Sequence, residues 1–296
     1  MAPRQPRRKS RPYHLRTPIL PDAVNLLNYR HRFHAGNAAD VFKHIVLLEI
    51  VAALKAKPTP FFVLDTHAGA GRYTLKTPGE HEDGIARLWE AREQLPAAAD
   101  YFDALKTLNP HSRLVEYPGS PLLIAHALRP QDRAILTELH PEEHSALRAN
   151  LRALPNTAVH LQDAAQALKA FLPPRENRGL VLIDPPYEQR DELERLPSLL
   201  GTALTRWRNG IFALWYPIKT RGPVERFKAA LARLDAPWLA IEFMTLPEDA
   251  PIRLNGSGMA VFNPPWKLAE QLRTILPPVA ARLCAQGAGG VRFSEE

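Results

Sequence analysis

The chain has 296 residues, enough to bury a core in one large domain or two modest ones. Hydrophobic residues at 45% exclude a fully disordered chain, and a single cysteine, Cys284, excludes an intramolecular disulfide framework or a cysteine-rich zinc site. The net charge of +7 hints at an anionic partner, the apolar runs are too short for a transmembrane helix, and the 29 prolines are about twice the usual ~5% share.

The first 24 residues set Arg4, Arg7, Arg8, Lys9, Arg11 and Arg16 among five prolines, with Asp22 as the one acid. This segment cannot bury an apolar face and is expected to be a disordered basic arm. It lacks the apolar stretch of a signal peptide. A solvated tail is preferred over an electrostatic contact for nucleic acid. The arm holds six of the 38 Lys and Arg and one of the 31 Asp and Glu, so the rest of the chain carries only about +2. The pI near 9.6 is therefore weak support for a nucleic-acid substrate.

A polar segment, Asn28 to Asn37, follows. Asn37 can cap a helix in which Val41, Ile45, Leu48 and Val51 recur at helical spacing, and Asp40 favours its positive end. Pro58 and Pro60 stop that helix. Phe61–Asp65 reads as a buried strand. The stretch from Arg72 to about Glu116 is less regular, with helical patterns near Ile85–Leu95 and Asp100–Leu108, and is expected to be a helical insertion (approximately 73–116) that acts as a lid.

From there helix and strand alternate. Strands are predicted at Ala134–Leu139, Thr157–Leu161, Gly179–Asp184, Gly210–Tyr216, Trp238–Thr245 and Gly258–Phe262. Helices are predicted at Leu122–Leu128, Pro141–Leu151, Ala164–Leu172, Glu192–Trp207, Val224–Leu234 and about Leu268–Leu283. The expected fold is α/β, a mostly parallel sheet covered on both faces and closed by an antiparallel pair formed by the last two strands. One domain over 25–296 accounts for the pattern.

Three motifs carry chemistry. Asp65-Thr-His67-Ala-Gly69-Ala-Gly71 stands where the first strand turns, and glycine there lets a ligand approach the backbone. Thr74 replaces the third glycine of the dinucleotide fingerprint, which disfavours a pyrophosphate-bearing cofactor and a nucleotide-dependent oxidoreductase. A nucleoside cofactor such as S-adenosylmethionine remains open. Glu138 and Asp163 end the next two strands, positions suited to ribose hydroxyls and to an adenine amino group. The third motif, Asp184-Pro185-Pro186-Tyr187, ends a buried strand. The exocyclic amine of a base is a poor nucleophile because its lone pair is delocalised. The Asp184 carboxylate and the Pro185 carbonyl can accept its protons, and Tyr187 can stack on an extruded base. Asn263-Pro-Pro-Trp266 repeats the pattern, but it follows the last strand and is read as a structural turn.

Taken together, these residues resemble the RlmJ family of bacterial large-subunit ribosomal RNA adenine-N6 methyltransferases. The resemblance rests on Tyr29-Arg-His-Arg-Phe-His-Ala-Gly-Asn-Ala-Ala-Asp-Val-Phe-Lys-His44, Leu64 to Arg72, Tyr117-Pro-Gly-Ser-Pro121 and Ile183 to Glu188. It implies a Rossmann-like class I S-adenosylmethionine-dependent fold and a cytoplasmic, monomeric enzyme acting on 23S ribosomal RNA, with no membrane or metal. It implies that His44, His67, Gly69, Ser120, Glu138, Asp163, Ala164 and Asp184 line the methyl-donor site. It further implies that Asp184, Pro185 and Tyr187 form the catalytic motif and that Tyr29, His31, Lys43 and Tyr187 position the adenosine. The roles of Tyr29, His31, Lys43, His44 and Ser120 follow from the resemblance alone. The histidines lack partner acids or cysteines at ligand spacing, so no metal is expected. Rival readings are an adenine-N6 methyltransferase acting on DNA or another RNA, and a catalytically inactive RNA-binding protein on the same fold.

Overall fold

The computed structural model describes residues 31–111, 113–189, 191–248, 250–251, 254–284 and 289–295. The expected arm at 1–24 and Tyr29 lie outside them. In chain order the elements are α1 (Ala38–Lys55), β1 (Phe62–Asp65), β2 (Arg72–Thr74), α2 (Ile85–Glu90), α3 (Ala99–Lys106), β3 (Glu116–Pro118), α4 (Ser120–Ala127), β4 (Arg133–Glu138), α5 (Pro141–Leu151) and β5 (Thr157–Leu161). There follow α6 (Ala164–Phe171), β6 (Gly179–Ile183), α7 (Glu192–Arg206), β7 (Ile211–Ile218), α8 (Arg221–Leu231), β8 (Trp238–Met244), β9 (Gly256–Phe262), α9 (Leu268–Leu283) and β10 (Gly290–Glu295).

Eight strands form one sheet in the order β10-β8-β9-β7-β6-β1-β4-β5. β7, β6, β1, β4 and β5 are mutually parallel. Their short apolar runs are buried on both faces, as parallel strands covered by helices must be. Alternation sorts the side chains: Val63, Leu180 and Leu182 face the layer of α1, α4, α5 and α9, whereas Phe62, Leu64, Val181 and Ile183 face α6, α7 and α8. This is the Rossmann-like arrangement that the resemblance implies.

The expected antiparallel pair, β8 with β9, forms, and the edge adds an order and a strand that were not expected. β9 inserts between β7 and β8, antiparallel to both, and β10 adds a further antiparallel strand outside β8. Only Val291 and Phe293 of β10 pack on the core, too few apolar positions to announce a strand. The reversal of β9 also settles the second proline motif. Phe262 pairs with Phe212 at the start of β7, so Asn263 lies on the sheet rim opposite to Asp184. Its amide donates to the carbonyls of Arg208 and Gly210 at 2.9 and 2.8 Å, which makes it a turn clamp.

The stretch after β1 is not a lid. α2 and α3 fall where helical patterns occur, but Trp89, Tyr101, Phe102 and Leu105 are buried in the same core as α1. The stretch returns through an antiparallel ribbon in which Arg72, Tyr73 and Thr74 pair with Pro118, Tyr117 and Glu116. Buried Asn109 ties the end of α3 to that ribbon. Its amide nitrogen donates to the carbonyls of Leu105 and Glu116, and its amide oxygen accepts from the backbone of Val115 and Glu116. Asn109→Ala orphans these buried backbone groups and is expected to cost about 2–4 kcal/mol. Urea unfolding of the variant beside the wild type measures the loss.

Candidate active site

The carboxyl ends of β1, β4, β5 and β6 open on a cavity of ≈ 500 Å³. The first-strand turn carries Thr66, His67 and Gly69 to its floor, with Asp65 buried beneath them. Gly69 has φ +59°, and a Cβ there would stand 2.2 Å from the Tyr73 hydroxyl, so the turn requires glycine. Glu138 ends β4. Its two oxygens accept from the backbone N–H of Gly69 and of His140, both at 2.7 Å, which fixes the carboxylate. Burial pushes its pKa up. Asp163 follows β5 and caps α6, accepting from the Gln166 N–H at 3.0 Å, so one of its oxygens already serves the helix.

Asp184 stands at the end of β6, beside β1 in parallel register. Its carboxylate meets the Lys43 ammonium at 2.5 Å, and the same ammonium lies 2.9 Å from Asp40. Burial alone would lower the Lys43 pKa, but Asp184 and Asp40 outweigh it and raise it. Asp40 in turn accepts from the Gly36 N–H at 3.0 Å and pairs with His31 at 2.9 Å. Burial alone would raise the Asp40 pKa; His31 and Lys43 overcome it and hold it well below the usual carboxylate range. Tyr187 adopts φ +53°, and its hydroxyl donates to the Trp215 carbonyl at 2.5 Å, with the two rings 5.6 Å apart. The phenol therefore cannot swing away from the cavity wall.

Three further groups are shaped by burial. His44 is depressed to about 3 and His67 to about 4. Asp65 is pushed up to about 7, against the Ser120 hydroxyl that donates to it at 2.7 Å and the His67 N–H at 3.3 Å. Both histidines are thus neutral at pH 7.

The cavity gathers His31, Lys43, His44, His67, Gly69, Ser120, Glu138, Asp163, Ala164, Asp184, Pro185 and Tyr187 on one wall system. Those are all the sequence-derived site residues except Tyr29. The fold also brings in Asp40, Tyr73 and Trp215, which sequence reasoning missed. Asp40 had already been assigned to the helix dipole, and Trp215 lies inside an apolar strand with no chemical signal. Among the described residues, Glu80, Glu143, Glu188, Glu192 and Lys219 also line the cavity.

A family model described as "Ribosomal RNA large subunit methyltransferase D, RlmJ" matches residues 58–294. The chain belongs to the RlmJ family. Two curated relatives named "Ribosomal RNA large subunit methyltransferase J" are each 43% identical to it. The relative from Haemophilus influenzae covers 89% of this chain and 96% of its own. The relative from Escherichia coli covers 91% and 98%. A solved structure of a Legionella pneumophila protein superposes with a TM-score of 0.84 at 33% identity, covering 88% of this chain and 98% of that one. This RlmJ-family chain is a methyltransferase. Its His31, Asp40, Lys43 and His44 precede the matched range and reach the cavity through the packing of α1.

Neutral buried histidines make stability depend on pH. Between pH 6.5 and about 4 the unfolded chain binds protons at His44 and His67 that the folded chain refuses, so these groups lose stability as pH falls. Asp65 has the opposite sign, because the folded chain binds its proton between about 7 and the ordinary 3.8. His67→Gln should therefore flatten the fall in stability below pH 6.5, and Asp65→Asn should steepen it. Urea midpoints taken from pH 7 to pH 4 check both slopes.

Proposed function

We propose that this RlmJ-family enzyme transfers a methyl group from S-adenosylmethionine to the N6 amine of one adenine in 23S ribosomal RNA. The carrying observation is the Asp184 carboxylate, clamped by Lys43 at the switch between β6 and β1, inside a cavity that Glu138 and Asp163 also enter.

The donor set suits S-adenosylmethionine. Glu138 is fixed by two backbone N–H groups and keeps lone pairs on both oxygens for a pair of ribose hydroxyls. Asp163 and Ala164 border the next strand tip, where a nucleobase edge can lie. The lining carboxylates of Glu80, Glu143, Glu188 and Glu192 favour a cofactor that carries a sulfonium and an ammonium. When bound, S-adenosylmethionine supplies a methyl group that is already activated as a leaving sulfonium's substituent.

The protein's own residues then act on the amine. Lys43 occupies Oδ2 of Asp184, so Oδ1 accepts one amine proton, and the Pro185 carbonyl accepts the other. With both protons held, the nitrogen lone pair turns out of conjugation toward the methyl. Tyr187, locked by Trp215, offers a fixed face for the unstacked adenine. Positioning and exclusion of water carry the rate. No strong base is required, because the amine becomes acidic as the new bond forms. The enzyme acts as a monomer in this reading, with Tyr29 and His31 at the base. Among the described residues no helix is long and apolar enough to cross a membrane.

Deletion of the gene should erase one N6-methyladenosine from 23S ribosomal RNA by mass spectrometry; survival of every such mark defeats the ribosomal assignment. Asp184→Ala should lower methyl transfer by about 10²–10⁴-fold while far-UV circular dichroism stays native. Near-normal turnover of that variant would move the chemistry elsewhere.

A further inference from the structure

The Tyr117-Pro-Gly-Ser-Pro121 block gives the site only Ser120 in the reading above. Its first residue does something else. Tyr117 is fully buried, and its hydroxyl lies 2.9 Å from His44 Nδ1. The two rings stack with centroids 5.5 Å apart and an interplanar angle of 26°. On its other side the Tyr117 hydroxyl meets the Tyr101 hydroxyl at 3.0 Å. Tyr101 is 2% exposed and His44 1%, so water does not complete this chain. Three groups on three separate elements, α1, α3 and β3, share two hydrogen bonds in a dry interior.

Counting hydrogens fixes their direction. Each phenol carries one hydrogen that must be donated when buried, and His44 carries one on either ring nitrogen. If Nδ1 carried it, Tyr117 would accept from His44. Tyr117 would then either donate to Tyr101, leaving the Tyr101 hydrogen without an acceptor, or accept from Tyr101 as well, leaving its own hydrogen without one. If Nε2 carries it, Tyr101 donates to Tyr117, Tyr117 donates to Nδ1, and no hydrogen is stranded. We infer that Tyr101 and Tyr117 form a one-way relay that holds His44 as its Nε2–H tautomer, so that an N–H donor is presented to the cavity.

The consequence lies in binding. His44 lines the cavity, and with Nδ1 turned to Tyr117, Nε2 is the polar atom left for a ligand. An Nε2–H can serve only an acceptor. On the reading of the cavity as the S-adenosylmethionine site, the strongest acceptor available is the carboxylate of the amino-acid arm. Tyr117 is a positioning residue: it touches no ligand but decides whether His44 offers a donor or a lone pair, and Tyr101 completes the hydrogen-bond chain behind it. The opposite tautomer would set a lone pair against that carboxylate.

Nitrogen NMR of ¹⁵N-histidine-labelled full-length protein tests this, with His44→Gln assigning the signal. In the free wild type, Nδ1 of His44 should show the shift of an unprotonated ring nitrogen and Nε2 that of a protonated one. A protonated Nδ1 overturns the relay. Tyr117→Phe should release the bias and give mixed tautomers. Titration calorimetry should then show S-adenosylmethionine binding about tenfold weaker, with the KM for RNA unchanged. Tyr101→Phe should keep the Nε2–H tautomer, because Tyr117 still has only Nδ1 to donate to. A purely structural role would lower the unfolding temperature of both variants and leave the His44 pattern as it is. A Tyr117→Phe protein with unchanged tautomer and unchanged donor affinity refutes the inference. Should Tyr117→Phe not fold, the wild-type and Tyr101→Phe spectra still decide it. If the wild type binds no S-adenosylmethionine, the functional reading fails, while the spectrum of the free protein judges the tautomer separately.

Discussion

An ammonium taken out of water needs counter-charge within hydrogen-bond reach, and Lys43 finds it twice, in Asp40 one turn back on its own helix and in Asp184 on β6. Breaking one side of such a buried group costs about 3–5 kcal/mol, so the triad cannot be dissected casually. It also sets the geometry of the site. α1 must lie against the sheet with Asn37 at its start, because Asp40 is held by the Gly36 backbone and His31. The carboxylate of Asp184 is then fixed from the side of α1, and the prolines that follow fix it from the side of its own loop.

The cofactor side of the cavity depends on a second set of fixed groups. Glu138 and Asp163 each already accept a hydrogen bond from a backbone N–H, and buried Asp65 behind them accepts from the Ser120 hydroxyl and the His67 N–H. Glu138 and Asp163 are thus pre-oriented, and a ligand meets lone pairs already aimed. The insertion contributes by packing. α2 and α3 bury α1 from outside, and the ribbon of β2 and β3 delivers Gly119 and Ser120 to the floor. Among the described lining residues, the carboxylates of Glu80, Glu143, Glu188 and Glu192 suit a cationic donor.

The parallel half of the fold was legible because each strand is an apolar run ended by a carboxylate and followed by a helical period. Asp65, Glu138, Asp163 and Asp184 could be named from that pattern alone. The edge was less legible. Nothing in the periodicity of Gly256–Phe262 says that it pairs with β7 before β8, since a strand buried on both faces looks the same at either place. Lys43 and His44 were opaque for another reason. On an amphipathic helix they read as surface positions, but Lys43 is buried against Asp184 at the end of β6 and His44 against Tyr117 on β3. The resemblance supplied those residues; periodicity could not. Asp40 was hidden by a sufficient local explanation, its place at the helix start.

The place of β9 has a bearing on how the chain is made. β7, with its run Ile211 to Ile218, finds its outer partner only when residues 256–262 have been synthesised, because β8 comes first but pairs elsewhere. Until then the growing chain on the ribosome carries an open, apolar strand edge of eight residues. The obvious wrong closure is β8 docking directly on β7, in a register that must be undone before β9 can enter. Completion of the sheet is therefore a late step in biogenesis, and the interval between β7 and β9 is when this chain is most exposed to misassembly or self-association.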